Sequence, residues 1–544
     1  MKNVISFVFL SLLLILPACQ ETGQSPLPVE PEQNVAATAE RIPVATVTLA
    51  ETVEEVALPN PDQEESTASG ESPTLPVPVL FDTAWEEREI FRTGLVETQQ
   101  DVLAALPGAS VYHMDLTIDE PTAVAGQMEV LFTNQEEVAL DEIYFHLFPN
   151  QLGGSITISD VSVNGEAVQH DIQETAMRIP LEKALDPGGA VVVQMEFLTR
   201  VPEEESTKYN ILAFTEDILA LAQFYPMIAA YDDQGWHTEP SPPHGDETYA
   251  DMSHFLVRIT APVEQVVVST GTEIDRSESG STQTITIAAG AVRDFYLAMS
   301  ERYGVVSDTV GPVQINSYAP LELLDGAEMA LDVTAHALRS YSDRFGPYPY
   351  DELDIVSTPT LALGIEYPGI FANAVRIYDL SAASSSGTPN AILLESTTAH
   401  EAAHQWFYNL VGNDQLNEPW LDEAMAQYAT WMYYIDRYGE ENAKGYYDSF
   451  EGRWGRNDFA DIPIGMPAEA YSGVDYGAIV YGRGPIFLDE LAQEMGQETF
   501  DAFLRDYSET FSWKIATGEQ FQALAEEHCQ CDLSPLFNEA VYGG

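Results

Sequence analysis

Thr398-Ala399-His400-Glu401-Ala402-Ala403-His404-Gln405-Trp406 is the stretch on which the reading of this chain turns. The run from Ala391 to Val411 has helical character, so the two histidines, four apart, project from one face and offer two imidazoles to one metal ion. Glu401 follows the first of them, which sets its carboxylate beside the metal without making it a ligand. Downstream, Gly412 reads as the end of this helix, Asn417 as the cap of the next and Pro419 as part of its first turn. Two helices then fold back on each other, and Glu423 sits level with His400 and His404. Three protein ligands with a fourth position left to water make a catalytic zinc site, whereas structural sites are closed and cysteine-rich. Glu401 is the expected general base of a hydrolase holding one Zn2+ ion.

The spacing from His400 to His404, eighteen intervening residues and then Glu423 resembles that of the aminopeptidase N-like zinc metallopeptidases, the gluzincins. The flanks His404-Gln405-Trp406-Phe407 and Trp420-Leu421-Asp422-Glu423-Ala424 are similar to that family's segments, with Tyr408 and Ala424 standing where glycine is commoner. Leu363-Gly364-Ile365-Glu366-Tyr367-Pro368-Gly369 resembles the family's exopeptidase segment. The resemblance implies that Glu366 binds the free α-amine of a substrate and that backbone such as Gly364 lines the cleft. Val480-Tyr481-Gly482-Arg483-Gly484 resembles the segment whose tyrosine stabilises the tetrahedral intermediate, a role that falls to Tyr481. With Gln223-Phe224-Tyr225-Pro226 and Phe345-Gly346-Pro347-Tyr348-Pro349-Tyr350, the likeness runs from about residue 108 to the end. It implies a multidomain α+β fold: an N-terminal antiparallel β domain, then a thermolysin-like, mainly helical catalytic domain, without the large C-terminal helical domain of longer members. The implied activity is removal of N-terminal residues from peptides with a free N-terminus. Endopeptidase action, epoxide hydrolysis on the same fold and a non-catalytic surface binding lipoprotein stand as alternatives.

Outside these segments the patterns agree with two kinds of structure. From about Ser110 to Ser300, strand-like runs such as Gly126 to Phe132 and Ala190 to Met195 alternate with turn signals at Asn164-Gly165, Pro187-Gly188-Gly189 and Gly280-Ser281. Beyond Pro320 the period turns helical, first over Leu321 to Phe345, with one strand-like interruption at Leu353 to Val356. The expected boundaries are a β-rich domain over 107–305 and a zinc peptidase domain over 306–544, joined upstream to a connecting helix over 86–106.

Residues 1–18 read as a signal peptide, with Lys2 ahead of the apolar run Val4 to Leu16, too short to span a bilayer. Leu16-Pro17-Ala18-Cys19 resembles a bacterial lipoprotein box, which implies lipidation at Cys19 and an exported protein anchored to the membrane by lipid. Residues 19–85, rich in Pro, Glu, Thr and Ser up to about Pro78, read as a disordered tether. The chain carries 87 acidic against 22 basic residues, a net charge of -65, with only five lysines. Such a surface has no basic stripe for phosphate, so nucleic acid is excluded as a partner. Cys529 and Cys531 are too few for a second zinc site or a disulfide framework, and a local bridge and two free thiols remain equal readings. His237 and His244, in a Pro/Gly-rich loop, read as hydrogen-bonded loop residues rather than a second metal site.

Overall fold

Long strands of alternating burial build the first half of the chain. In β1 (Ser110–Glu120), Met114, Leu116 and Ile118 are wholly buried between more exposed neighbours, the period-two signature of a sheet with one covered face. With β2 (Ala123–Thr133), β3 (Ala190–Arg200), β4 (Ser253–Pro262) and β5 (Thr282–Val292), it forms the middle of an eight-stranded sheet in the order β5-β4-β1-β2-β3. The sheet is antiparallel except for β1 and β4, which run parallel with Val111 opposite His254, a departure from the expected all-antiparallel domain. Asn164 and Gly165 both have positive φ, 52° and 82°, and close a two-residue hairpin. The computed structural model describes residues 75–544 apart from Pro243. The expected leader, Cys19 and the expected tether as far as residue 74 lie outside the described residues; the last stretch read as disordered tether, 75–85, is instead packed on the β-rich half, with Val79 N bonded to Glu129 and Trp85 buried.

The second half carries a five-stranded sheet of β6 (Tyr303–Val310), β7 (Val313–Pro320), β8 (Glu352–Thr358), β9 (Gly364–Tyr367) and β10 (Ile370–Ala374), ordered β6-β7-β8-β10-β9. β9 is its edge, antiparallel to β10 with Glu366 opposite Phe371. Five helices matter for the site: α1 (Leu324–Phe345), α2 (Asn390–Ala403), α3 (Trp420–Tyr438), α4 (Glu440–Trp454) and α5 (Gly484–Met495). α1 buries Ala327, Ala330, Thr334, Leu338, Tyr341 and Phe345, the i, i+3/i+4 stripe that covers a core. Its Tyr341 hydroxyl donates to Ala399 O of α2 at 2.8 Å, and Trp406 Nε1 donates to Gly346 O at 2.9 Å. The described residues form one compact unit, and none of their helices is long and apolar enough to cross a membrane.

Three local expectations are corrected. The connecting helix over 86–106 is instead two 3-10 turns, Glu89–Gly94 and Glu97–Gln99, and a four-residue helix, Val102–Ala105. Tertiary bonds have taken its backbone: Val96 N donates to Pro349 O, Gly94 O accepts from Asp351 N, and Leu95 bridges to Tyr350. The helix read as Ala391 to Val411 stops at Ala403 with His404 as its C-cap. Beyond it, the amides of Asn409, Leu410 and Val411 reach carbonyls five residues back, a wide turn that ends in the short strand Val411–Gly412. Gly412 is therefore no helix stop. A Cβ there would lie 2.3 Å from Cζ of the buried Arg293, which donates to the carbonyls of Ala250, Asn409 and Lys514. Asn417 does not cap α3 either, because its amide is bonded to Asp414 and the N-cap position is held by Pro419.

Cys529 and Cys531 are joined as a disulfide across Gln530, whose φ is 53°. His244 Nε2 bonds Ala468 O at 2.8 Å and His237 pairs with Asp232 at 2.7 Å; neither belongs to a group of three potential metal ligands among the described residues.

Candidate active site

The last turn of α2 carries His400 and Glu401, its C-cap is His404, and the first turn of α3 carries Glu423. His400 Nε2 lies 3.1 Å from Glu423 Oε2 and 3.2 Å from His404 Nε2, and His404 Nε2 lies 3.6 Å from the same carboxylate oxygen. Tetrahedral ligands each about 2.0–2.1 Å from a zinc ion stand about 3.3 Å apart. Two imidazole nitrogens and a carboxylate oxygen at these separations fit zinc in both chemistry and size.

Each ligand is held from behind. His404 Nδ1 faces Phe407 O at 3.0 Å, so its proton sits there and Nε2 is left with a free lone pair. His400 Nδ1 faces the Gln427 amide at 3.2 Å; that amide's oxygen accepts from Tyr446 at 2.8 Å and Arg453 at 3.0 Å, both on α4. Glu423 Oε1 accepts a short hydrogen bond from the Tyr481 hydroxyl. Tyr481 stands in a π-helical turn, Ile479–Arg483, that widens the chain just before α5. Arg483 in that turn pairs with Glu490 at 2.8 Å and lies over the Trp454 ring.

Charges oppose one another across this site. Burial works against the charge on Glu423, but the hydrogen bonds and charge of the two histidines hold it well below the ordinary carboxylate range. Burial pushes His400 down, whereas at His404 Glu366, Glu423 and Glu401 overcome burial and push it well up. Glu401 is driven well above its usual value by burial, then by Glu366 and Glu423. It is 4% exposed, and its Oε2 has no hydrogen-bond partner. A buried carboxylate oxygen without a partner costs free energy, and in this cleft it makes Glu401 a candidate for proton transfer.

Gly364 explains how Glu401 fits. A Cβ on Gly364 would meet Glu401 Oε1 at 2.4 Å, so β9 can pass this close to the carboxylate only as glycine. Gly364→Ala should keep its metal and lose about 10- to 100-fold in kcat, since about 1 Å of misplacement can cost that much. Metal analysis beside single-turnover rates checks this, and an unimpaired variant would show that the crowding is harmless.

Two residues beyond Gly364 on β9, Glu366 faces the same cleft, 6% exposed. Gln415 Nε2 donates to Glu366 Oε1 at 2.9 Å and to Asp422 Oδ2 at 2.8 Å, while its Oε1 accepts from Thr248 N at 3.0 Å. Burial, then Glu423, raises Asp422 to about 8. Gln405 ties the end of α2 to the turn after β9, donating to Tyr367 O and accepting from Gly369 N, each at 2.9 Å. Tyr408, where glycine was the commoner residue, adopts φ 124° and still fits, with its ring buried behind Glu366.

All the residues singled out in the sequence meet at one cleft of about 270 Å3: His400, Glu423, Glu401, Gly364, Glu366 and Tyr481 line it, and His404 belongs with His400 and Glu423 to a group of potential metal ligands. Gln415, Asp422, Gln427, Tyr209 and Asp246 belong to the same cleft or its supports and escaped the sequence reading. Only Asp422 had a local signal, its place beside Glu423. The others come from loops and helix faces whose meeting no short pattern records.

A family model described as the peptidase family M1 domain matches residues 329–539. Among curated proteins, the chain is 25% identical over 420 residues to aminopeptidase M1-B of Oryza sativa subsp. japonica, covering 74% of this chain and 45% of that protein. It is 24% identical over 272 residues to human endoplasmic reticulum aminopeptidase 1, covering 46% of this chain and 28% of the relative. The match thus spans less than half the length of these relatives. Among solved structures, an M1 zinc metallopeptidase from Deinococcus radiodurans superimposes with a TM-score of 0.62 at 20% identity, covering 79% of this chain and 92% of that one. At that identity the likeness speaks for the fold.

Proposed function

From its membership of the zinc metallopeptidases of peptidase family M1, to which this chain belongs, we propose that it is a zinc-dependent aminopeptidase. The observation that carries the exopeptidase part is Glu366, a buried carboxylate with a ligating oxygen within 4.8 Å of a ring nitrogen of His404, in the wall of the metal cleft. An ammonium bound there places the first peptide bond, and no later one, against the metal ligands.

His400, His404 and Glu423 would hold the zinc ion, which when bound would supply Lewis acidity at the scissile carbonyl and a bound water with its pKa lowered to about 7. The other steps belong to side chains. Glu401 takes a proton from the attacking water and passes it to the leaving amine. The Tyr481 hydroxyl, bonded to Glu423 before substrate enters, is free to turn its proton to the oxyanion that forms. Gln415 holds Glu366 in place by occupying one of its oxygens and leaves the other for the ammonium. Export and anchoring through a lipidated Cys19 form part of the same proposal, supported by the leader-like first 18 residues.

Glu366→Ala should lower kcat/KM for aminoacyl anilides about 10- to 100-fold, the worth of a charge-assisted hydrogen bond. Its zinc content should be unchanged. Wild-type enzyme should cleave a peptide with a free N-terminus and spare its N-acetylated counterpart. Equal cleavage of both, with Glu366→Ala as active as wild type, would replace this reading with endopeptidase action.

A further inference from the structure

A second cavity, of about 260 Å3, adjoins the metal cleft, and no described residue lines both. It opens between the two halves of the chain, a usual place for small-molecule sites. The β-rich half contributes His146, at the end of the strand Leu140–His146, and Phe148; the catalytic half contributes Asp414, Leu416 and Glu469. Two segments run between this cavity and the substrate anchor, and in each the residues alternate between the two. Glu247 and Tyr249 line the cavity, and between them Thr248 gives its amide to Gln415 Oε1 at 3.0 Å. Asp414 and Leu416 line it as well, and between them Gln415 turns the other way, donating to Glu366 Oε1 at 2.9 Å and Asp422 Oδ2 at 2.8 Å. The bond between Thr248 and Gln415, which steadies Glu366, is thus flanked on both sides by residues that an occupant of the cavity would touch.

The lining decides what that occupant can be. Phe148, Tyr249 and Leu416 supply apolar surface, and the Phe148 ring stacks on His146 at 4.7 Å. The charge is of one sign: Glu239, Asp414 and Glu469 line the cavity, and no lysine or arginine does. Glu247 is engaged by Lys208 at 3.2 Å, and Glu239 has the His237 ring at 3.9 Å. Asp414 accepts from the amides of Leu416 and Asn417, but neither it nor Glu469 belongs to an ion pair among the described residues. His146 is an observation independent of these acids. It is 9% exposed, and burial lowers its pKa to about 4, so the ring is neutral. The His237 backbone bonds that ring, yet Nδ1 has no partner. A buried ring nitrogen left in this way is costly unless something in the cavity meets it. A compact metal ion does not fit, because no group of three potential metal ligands among the described residues lies here.

We propose that this cavity binds an organic cation, an amine carried on a small apolar body, and that its occupancy is felt at Glu366 through Thr248 and Gln415. The effect on catalysis, though not the binding, rests on the reading of Glu366 as the ammonium anchor. The aromatic and leucine walls take the apolar body, the three carboxylates offset the positive charge, and His146 Nδ1 offers an acceptor to one N–H.

The test compares phenethylamine with phenethyl alcohol, which share a shape and differ in charge. Each is titrated calorimetrically into the zinc-loaded full chain carrying Glu366→Gln, so that the anchor in the metal cleft does not compete for the amine. The amine should bind at least about 10-fold more tightly than the alcohol, the worth of a charge-assisted hydrogen bond. Adding Glu239→Gln and Glu469→Gln, both exposed, should bring that ratio to within about threefold. Leu416→Trp, which sets an indole in the cavity, should abolish binding. Equal binding of the two compounds overturns the proposal, and that measurement stands even if a cavity variant does not fold. Amine binding that survives Leu416→Trp unchanged overturns it too, since the amine would then sit elsewhere. With Glu366 intact and a leucine anilide saturating, the bound amine should shift kcat at least about twofold, a change that competition in the cleft cannot produce. An unchanged kcat overturns the link to Glu366. Failure to hydrolyse any free N-terminus would sink the aminopeptidase reading and leave the calorimetric result standing.

Discussion

Glu401→Gln is expected to bind zinc as wild type does and to turn over peptides about 10^3-fold more slowly, within the usual range for loss of a general base. The amide has the size of the carboxylate, so the tight passage of Gly364 past Oε1 is unchanged. What it lacks is the ability to accept a proton. Glu401 makes no bond to either histidine or to Glu423 in the described hydrogen-bond network, so its replacement leaves the ligands in place. Removing an unpaired buried carboxylate also relieves repulsion from Glu366 and Glu423. The variant should therefore melt no lower than wild type while being nearly inactive, an opposition that separates a chemical role from a structural one. Metal analysis, a thermal melt and single-turnover kinetics on one preparation check all three, and wild-type turnover would refute the general-base role.

Removal of the metal should have the second large effect. A chelator is expected to abolish peptidase activity and to lower the melting temperature by about 4 °C, with both restored by added zinc. The figure follows from mass action: an ion present at about 1,000 times its Kd stabilises by about 4 kcal/mol, and a chain of this size shifts by about 1 °C per kcal/mol. The structural cause is the crowding of ligand atoms 3.1–3.6 Å apart, backed by Glu366, Glu401 and Asp422, all buried. Without a cation these groups must share protons. Calorimetry with and without chelator measures the shift, and activity that survives exhaustive chelation would remove zinc from the mechanism.

The histidine pair was legible because the geometry that makes it a ligand set is local. An α-helix brings residues four apart to one face whatever surrounds it. Glu423 was legible only through its spacing, and the reason offered for it was partly wrong. The first helix ends at Ala403 rather than near Gly412, and the wide turn through Asn409 to Val411, with Tyr408 at φ 124°, does the work that a plain helix-loop-helix was expected to do. The candidate ligands still meet because distant groups clamp the end of α2 and the turn after it: Tyr341 bonds Ala399 O, Tyr367 O accepts from Gln405, and Arg293 bonds Asn409 O. The segment 86–106 shows the opposite case. Read as a connecting helix, it gives backbone groups instead to Pro349 and Asp351.

The sequence by itself determined which residues are proposed as zinc ligands and as base, and the alternation of a β-rich half with a helical half. These depend on residue type and on periods of two and 3.6, which the chain carries locally. Only the tertiary structure decided what stands around that chemistry: Gly364 against Glu401, Gln415 between Glu366 and Asp422, and Gln427 behind His400. Those contacts join residues far apart in the chain, and packing of the whole fold, rather than any local preference, brings them together.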